Sequence, residues 1–408
     1  MIKSPLLRHW RYTLQTRTLN IPKRQIHNLN HLPRKTTLPT HNPLLNNLKK
    51  RTLFTESLPP VLIPPVLFVG LLLGLWTWKC LWIILLQDKL LYLAWLPPLS
   101  RSEKIEDYAR EFRGVSWTKK QIRSLDGTKL AVCEGRPPLP RGNALGAVEP
   151  GKMKKRVVIC YFQGNGGSTP LRLPLLSQVM KSITDSAAGG EADAQTEYIL
   201  VALSYRGYWT SSGRATQSGI QKDAQAFLSW VYQTYGTSDK DLRVVLWGHS
   251  LGAAVASAAV ARQLQSQPAL PVSGGLDRLS ISGLVLEAPI SSIKDMLISL
   301  YPQRWLPYRY LWPFSWNTWD VSRSLQDIAS TSQKDKKTKR MNAPPILLMS
   351  ADSDEVIPLW VADHLEDKAQ GLGLDIQRVN VKGAMHIEGP LKFDGRKALV
   401  DFIRDTSR

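Results

Sequence analysis

Residues 242–260, LRVVLWGHSLGAAVASAAV, constrain this chain more than any other stretch. A run of β-formers ends on Gly248, one serine follows His249, and small residues then continue as a helix from Leu251. G-x-S-x-G has meaning only in that setting, where a sharp strand-to-helix turn strains the serine and lifts its hydroxyl above a sheet. A β-carbon at Gly248 or Gly252 would collide with the neighbouring strand and helix. Ser250 is therefore the candidate nucleophile, and the Leu251 amide can face a developing oxyanion. A tight β–α turn without chemistry is the plainer alternative.

The rest of the chain supplies the sheet such an elbow needs. Apolar strands are expected at 156–162, 197–205, 242–247, 281–289, 344–350 and 376–383. Helices are expected near 171–183, 217–235, 251–265, 359–370 and 391–404. This alternation predicts a mostly parallel sheet covered on both faces, entered by an antiparallel hairpin turning at Asp126-Gly127. The stretches 136–155, 184–196 and 332–340 read as polar or Pro/Gly-rich insertions.

A nucleophilic serine needs a base, and the base needs an acid to orient it, in the chain order Ser, acid, His on such a sheet. Asp354, in SADSDEVIP after a strand, is the expected acid, with Asp352 and Glu355 as local competitors. Of the two histidines beyond it, His364 lies among charges at helical spacing and reads as a surface residue. His386, in the loop GAMHIE after the last strand, is the expected base. The glycine-rich loop QGNGGS after 156–162 should bring the second oxyanion donor, the Asn165 amide. No G-K-[ST] follows those glycines, so a phosphate-binding loop is not indicated.

Composition bounds the remainder. With 408 residues, 43% of them hydrophobic, the chain can bury a sizeable core. Its net charge of +20 suggests nucleic acid, but eleven of the Lys/Arg fall in residues 1–55, which hold no Asp or Glu. That stretch reads as a basic disordered tail over 1–57, and charge is the sole feature favouring nucleic acid, which is not an expected partner. Cys80, Cys133 and Cys160 fit neither a disulfide framework nor a metal set, and no cofactor or metal is expected.

PPVLIPPVLFVGLLLGLWTWKCLWIILLQDK is charge-free from Leu58 to Trp78 and long enough to cross a hydrocarbon core. Its apolar residues outweigh Lys79, whose stem can snorkel. A transmembrane helix is thus expected within 58–88, with a catalytic domain over 89–408. Basic residues ahead of the span favour a cytosolic N-terminus. An acid-free, Arg-containing leader also fits a mitochondrial address.

Taken with QGNGGS, SYRGYWTSSGR, LWGHSLGAAVA, LEAPISSI, SADSDEVIP and GAMHIE, in that order, the chain resembles the membrane-anchored α/β-hydrolase-domain serine hydrolases. These include monoacylglycerol and lysophosphatidylserine lipases and fungal bud-emergence relatives. The resemblance implies an α/β-hydrolase fold, a Ser250–Asp354–His386 triad, oxyanion donors at Asn165 and Leu251, and an endoplasmic-reticulum anchor with a lumenal catalytic domain. Gln163 and Ser204 depart from it, since the family usually has His before Gly-Asn and Asp before Tyr-Arg-Gly.

An insertion at about 290–343, rich in Trp and Tyr, occupies the slot where this fold carries a cap. Such aromatics suit an acyl pocket or a lipid interface. The basic run 334–340 reads as a solvated loop. The expected activity is cleavage of carboxylic esters of lipids, such as monoacylglycerol or lysophospholipid, through an acyl-enzyme. Alternatives are a protein acyl-thioesterase or peptidase on the same fold, and a non-catalytic membrane scaffold.

Overall fold

The computed structural model describes residues 59–138, 155–187, 196–236, 241–266, 281–334 and 343–408. The basic tail 1–57, the basic run 335–340 and most of the insertions 136–155 and 184–196 lie outside the described residues. The chain divides into two compact units, Met1–Val66 and Leu67–Arg408.

In the first unit a 3-10 turn at Pro60–Leu62 leads into helix α1 (Ile63–Leu85). Pro64 and Pro65 fall in its first turn, where the missing N–H groups would have had no partner in any case. The helix continues into the second unit. At 1.5 Å per residue it is about 35 Å long, enough to cross a bilayer. None of its residues is buried. The boundary between units falls inside α1, whose C-terminal part, in the second unit, packs on the body. Trp76 meets Trp305 at 6.0 Å, and the Lys79 ammonium sits 4.2 Å over the Tyr308 ring.

The second unit continues with α2 (Gln87–Leu91) and a 3-10 stretch, Ile105–Glu111. The hairpin follows, β1 (Ser116–Arg123) against β2 (Lys129–Arg136), with Gly127 at φ 82° in its turn. Then come β3 (Lys155–Phe162), α3 (Thr169–Ala187), β4 (Thr196–Ser204), α4 (Gln217–Tyr235), β5 (Asp241–His249) and α5 (Leu251–Gln265). The chain closes with β6 (Ile281–Glu287), α6 (Ile293–Leu300), α7 (Val321–Lys334), β7 (Ile346–Ala351), α8 (Trp360–Gly371), β8 (Ile376–Val381) and α9 (Phe393–Asp405).

The eight strands form one sheet in the order β1-β2-β4-β3-β5-β6-β7-β8. The hairpin pairs antiparallel to β4, and all other neighbours are parallel. This is the mostly parallel α/β-hydrolase sheet. Period-two alternation divides its side chains between two cores. In β3, Val158, Cys160 and Phe162 join residues of α4, α5, α7 and α8 on one face. Val157, Ile159 and Tyr161 join α3 and α9 on the other. Among the described residues the three cysteines are free, Cys133 and Cys160 buried in these cores.

The chain leaves β3 for β4 on one side and returns to β5 on the other. The gap beyond the C-terminal ends of β3 and β5 is therefore the switch point where open α/β sheets bind ligands.

The insertion at 290–343 is not all cap. Val321, Leu325, Ile328 and Ala329 recur at helical spacing and are buried on the α5 side of the sheet, which makes α7 a core helix. What stands off the sheet is shorter: α6 and two 3-10 turns, Pro307–Tyr310 and Trp312–Phe314. Trp305, Tyr310, Trp312, Phe314 and Trp316 are exposed there.

Candidate active site

Ser250 stands at the end of β5 with φ 54° and ψ −117°, a left-handed conformation that a side-chain-bearing residue keeps only under constraint. Its amide donates to the Glu287 carbonyl at 2.8 Å, tying the turn to β6. The glycines act through close approach. A β-carbon on Gly248 would lie 2.3 Å from the Gly252 carbonyl oxygen, and one on Gly252 would lie 2.0 Å from the Phe162 carbonyl oxygen. The loop after β3 therefore abuts the elbow, and a β-carbon on Gly164 would come within 3.5 Å of the Ser250 β-carbon.

Asp354 and His386 come together from the loops after β7 and β8. His386 Nδ1 faces Asp354 Oδ2 at 2.9 Å and Oδ1 at 3.1 Å. Asp354 Oδ1 also accepts the amides of Val356 at 2.8 Å and Ile357 at 2.7 Å. Burial works against the charged carboxylate, but the His386 contact and these two amides outweigh it and hold Asp354 below the usual carboxylate range. Of the local competitors, Asp352 is exposed, and Glu355 accepts the His386 backbone amide at 3.0 Å. His364 is exposed and meets Ser322 Oγ at 3.2 Å.

Ser250 and His386 are both buried, at 6% and 8% exposure. Among the described contacts the Ser250 hydroxyl makes no hydrogen bond to the imidazole. The link between them runs through His249, whose ring centroid lies 4.9 Å from that of His386 and whose Nε2 is 3.2 Å from the His386 carbonyl. On its other side, His249 Nδ1 is 3.3 Å from Arg172 Nη2. A guanidinium can only donate, so Nδ1 accepts and Nε2 carries the hydrogen given to the His386 carbonyl. Burial, then the Arg172 charge and the His386 ring, hold His249 well below the ordinary histidine value, and it stays neutral.

The expected oxyanion donors lie on the two loops that meet at the switch point. Leu251 is the first residue of α5, where helical geometry leaves the amide without an intrahelical acceptor. The Asn165 amide also has no acceptor among the described residues. The Asn165 carbonyl, by contrast, accepts the Tyr208 hydroxyl at 2.9 Å and the Leu93 amide at 2.8 Å. The Tyr205 hydroxyl donates to the Gln163 carbonyl at 2.9 Å. SYRGY thus braces this loop with two phenols. Its arginine is held in turn, because Arg206 pairs with buried Asp223 at 2.7 Å and with Asp126 at 2.9 Å.

The two departures from the family pattern are both buried. Gln163 Oε1 accepts the Thr169 hydroxyl at 2.9 Å, and its Nε2 has no partner among the described residues. The Ser204 hydroxyl donates to the Tyr208 carbonyl at 3.3 Å. Sequence reasoning missed His249, Arg172 and Glu287. The first and last lay inside motifs already quoted, GHSLG and LEAP, whereas no local signal marks Arg172. Glu287 is buried and accepts the Trp247 indole N–H at 2.7 Å. Burial pushes its carboxyl up to about 7, against the Arg172 charge and that hydrogen bond.

Among the described residues no cluster of His, Cys, Asp and Glu could hold a metal ion. No family model matches the chain. It is 26% identical to protein bem46 of Schizosaccharomyces pombe over 205 residues, half of this chain and 54% of that protein. It is 31% identical to the lysophosphatidylserine lipase ABHD12 of Danio rerio over 172 residues, 42% of this chain and 40% of that one. It is 26% identical to the α/β-hydrolase domain-containing protein WAV2 of Arabidopsis thaliana over 309 residues, 75% of this chain and 83% of that one. The chain thus spans about half the length of the first curated relatives it matches. Its strand order and its strand–serine–helix elbow are those of an α/β-hydrolase fold, and over these spans the chain is similar to α/β-hydrolase-domain proteins.

Proposed function

We propose that this chain is a membrane-anchored serine hydrolase that cleaves carboxylic esters of lipids through an acyl-enzyme. The observation that carries the reading is the pairing of His386 Nδ1 with Asp354 at the same sheet rim as the strained Ser250. Asp354 keeps Nδ1 protonated and leaves Nε2 as the basic nitrogen. Ser250 Oγ attacks the ester carbonyl as its proton passes to His386 Nε2. The amides of Leu251 and Asn165 receive the negative charge that builds on the carbonyl oxygen. As the intermediate collapses, the imidazolium returns its proton to the departing alcohol. His386 then deprotonates a water, which releases the acyl group and regenerates the serine.

The lipid assignment draws support from the named activity of the lysophosphatidylserine lipase among the relatives, the exposed cap aromatics and the unburied apolar helix α1. The basic residues ahead of α1 favour a cytosolic N-terminus and a lumenal catalytic domain, in the endoplasmic reticulum by family resemblance. Protection of the C-terminus from protease in sealed microsomes is expected; digestion without detergent would overturn that placement.

The activity is tested by presenting the full chain in membranes with monoacylglycerol and lysophospholipid esters. Wild-type protein should release fatty acid and Ser250→Ala should not. Equal release by both, or none by well-folded wild type, would count against the hydrolase and favour a scaffold.

A further inference from the structure

The neck that follows α1 joins two parts of the molecule which the sequence gives no reason to connect. On the cap side, Gln87 Oε1 accepts the Trp316 amide at 2.9 Å, and Asp88 Oδ1 accepts Asn317 Nδ2 at 2.7 Å. Tyr92, 2% exposed, donates its hydroxyl to Asn317 Oδ1 at 2.7 Å and accepts the Trp319 indole N–H at 2.8 Å. On the site side the hydrogen bonds are backbone only. The Leu93 amide donates to the Asn165 carbonyl at 2.8 Å, Leu93 bridges Gly166 in parallel, and the Gly167 amide donates to the Leu96 carbonyl at 2.8 Å.

The loop so held has little stiffness of its own. Asn165 lies among Gly164, Gly166 and Gly167, the last at φ 81°, so the direction of its N–H depends on what grips the neighbouring carbonyls. Tyr205 and Tyr208 grip it from the body, and the neck grips it from the anchor side.

We propose that the neck, residues 87–96, is a positioning element for the oxyanion loop. Leu93 fixes the Asn165 carbonyl and so aims the Asn165 amide, while Gln87, Asp88 and Tyr92 lock the neck to the cap, so that cap, anchor exit and oxyanion donor hold one geometry. This rests on the reading of Asn165 as an oxyanion donor. None of these neck residues touches the reacting atoms. Their effect should appear in the turnover step rather than in substrate binding.

The test uses the full chain in detergent or membranes, with Tyr92→Phe, the pair Gln87→Ala/Tyr92→Phe, and Leu93→Pro, which deletes the amide donor. Lys89→Ala, an exposed change in the same turn, is the control. Displacing a donor by a fraction of an ångström to an ångström should lower kcat about 10- to 100-fold with KM nearly constant. Fluorophosphonate labelling should slow in parallel, amide exchange across 163–168 should quicken, and the control should match wild type. Tyr92→Phe, Gln87→Ala/Tyr92→Phe and Leu93→Pro variants that fold and turn over like wild type would overturn the proposal alone. If Leu93→Pro does not fold, unchanged exchange and kcat in the Gln87/Tyr92 variants would overturn it equally. Wild type no more active than Ser250→Ala would instead remove the catalytic reading, and this inference with it.

Discussion

The ring of His249 lies 4.9 Å from that of His386, and its Nε2–H is given to the His386 carbonyl. The residue next to the elbow serine therefore holds the backbone of the base, and Arg172 fixes which tautomer does so. His249→Ala should lower kcat about 10-fold with KM little changed, since a small misplacement of a base costs turnover before it costs binding. Steady-state kinetics with a soluble ester check this. An unchanged kcat would make His249 a packing residue only.

Asp354 is expected to act by orienting the ring. Asp354→Asn should drop kcat about 10⁴-fold and His386→Ala about 10⁶-fold. Because the Asp354 carboxyl is held below the usual range, it should stay ionised throughout the working pH range. A kcat/KM profile should accordingly show no acid limb that belongs to Asp354. Full activity in Asp354→Asn would transfer the role to another carboxylate.

Gly252 has no room for a methyl group, as its β-carbon would sit 2.0 Å from a backbone oxygen that cannot move alone. Gly252→Ala should destabilise the fold by about 1–3 kcal/mol or more, as overpacking does, and separate the β3 loop from the elbow. Thermal unfolding together with probe labelling measures both effects.

Glu287 keeps its proton in the folded protein to about pH 7, well above the point at which an unfolded glutamate loses it. The unfolded chain then binds fewer protons than the native one, so stability falls as pH rises from the ordinary glutamate value to about 7 and levels off beyond. Across that window the change is on the order of 3–4 kcal/mol. Glu287→Gln should flatten that slope in Tm measured at pH 5, 6, 7 and 8. An equal slope in both proteins would place the titration elsewhere.

Much of the fold was legible because local signals agreed. The β5–elbow–α5 unit reads directly from apolar alternation, two glycines and a small-residue helix, and Asp354 and His386 each follow a strand in the required chain order. Other features are carried by contacts that leave no period or motif. The periodicity of Val321, Leu325, Ile328 and Ala329 was present, but the aromatic run before it suggested that one cap filled the whole insertion. The neck grips the Asn165 loop through backbone groups of Leu93 and Leu96, which any side chain could supply. Arg172 acts on His249 from 77 residues away.

Reactivity of one hydroxyl tests the central claim most directly. Full-length protein treated with a fluorophosphonate and mapped by peptide mass should carry a single adduct on Ser250, abolished in Ser250→Ala and strongly slowed in His386→Ala. Folded wild-type protein that remains unlabelled, or an adduct that persists at the same rate without His386, would contradict it.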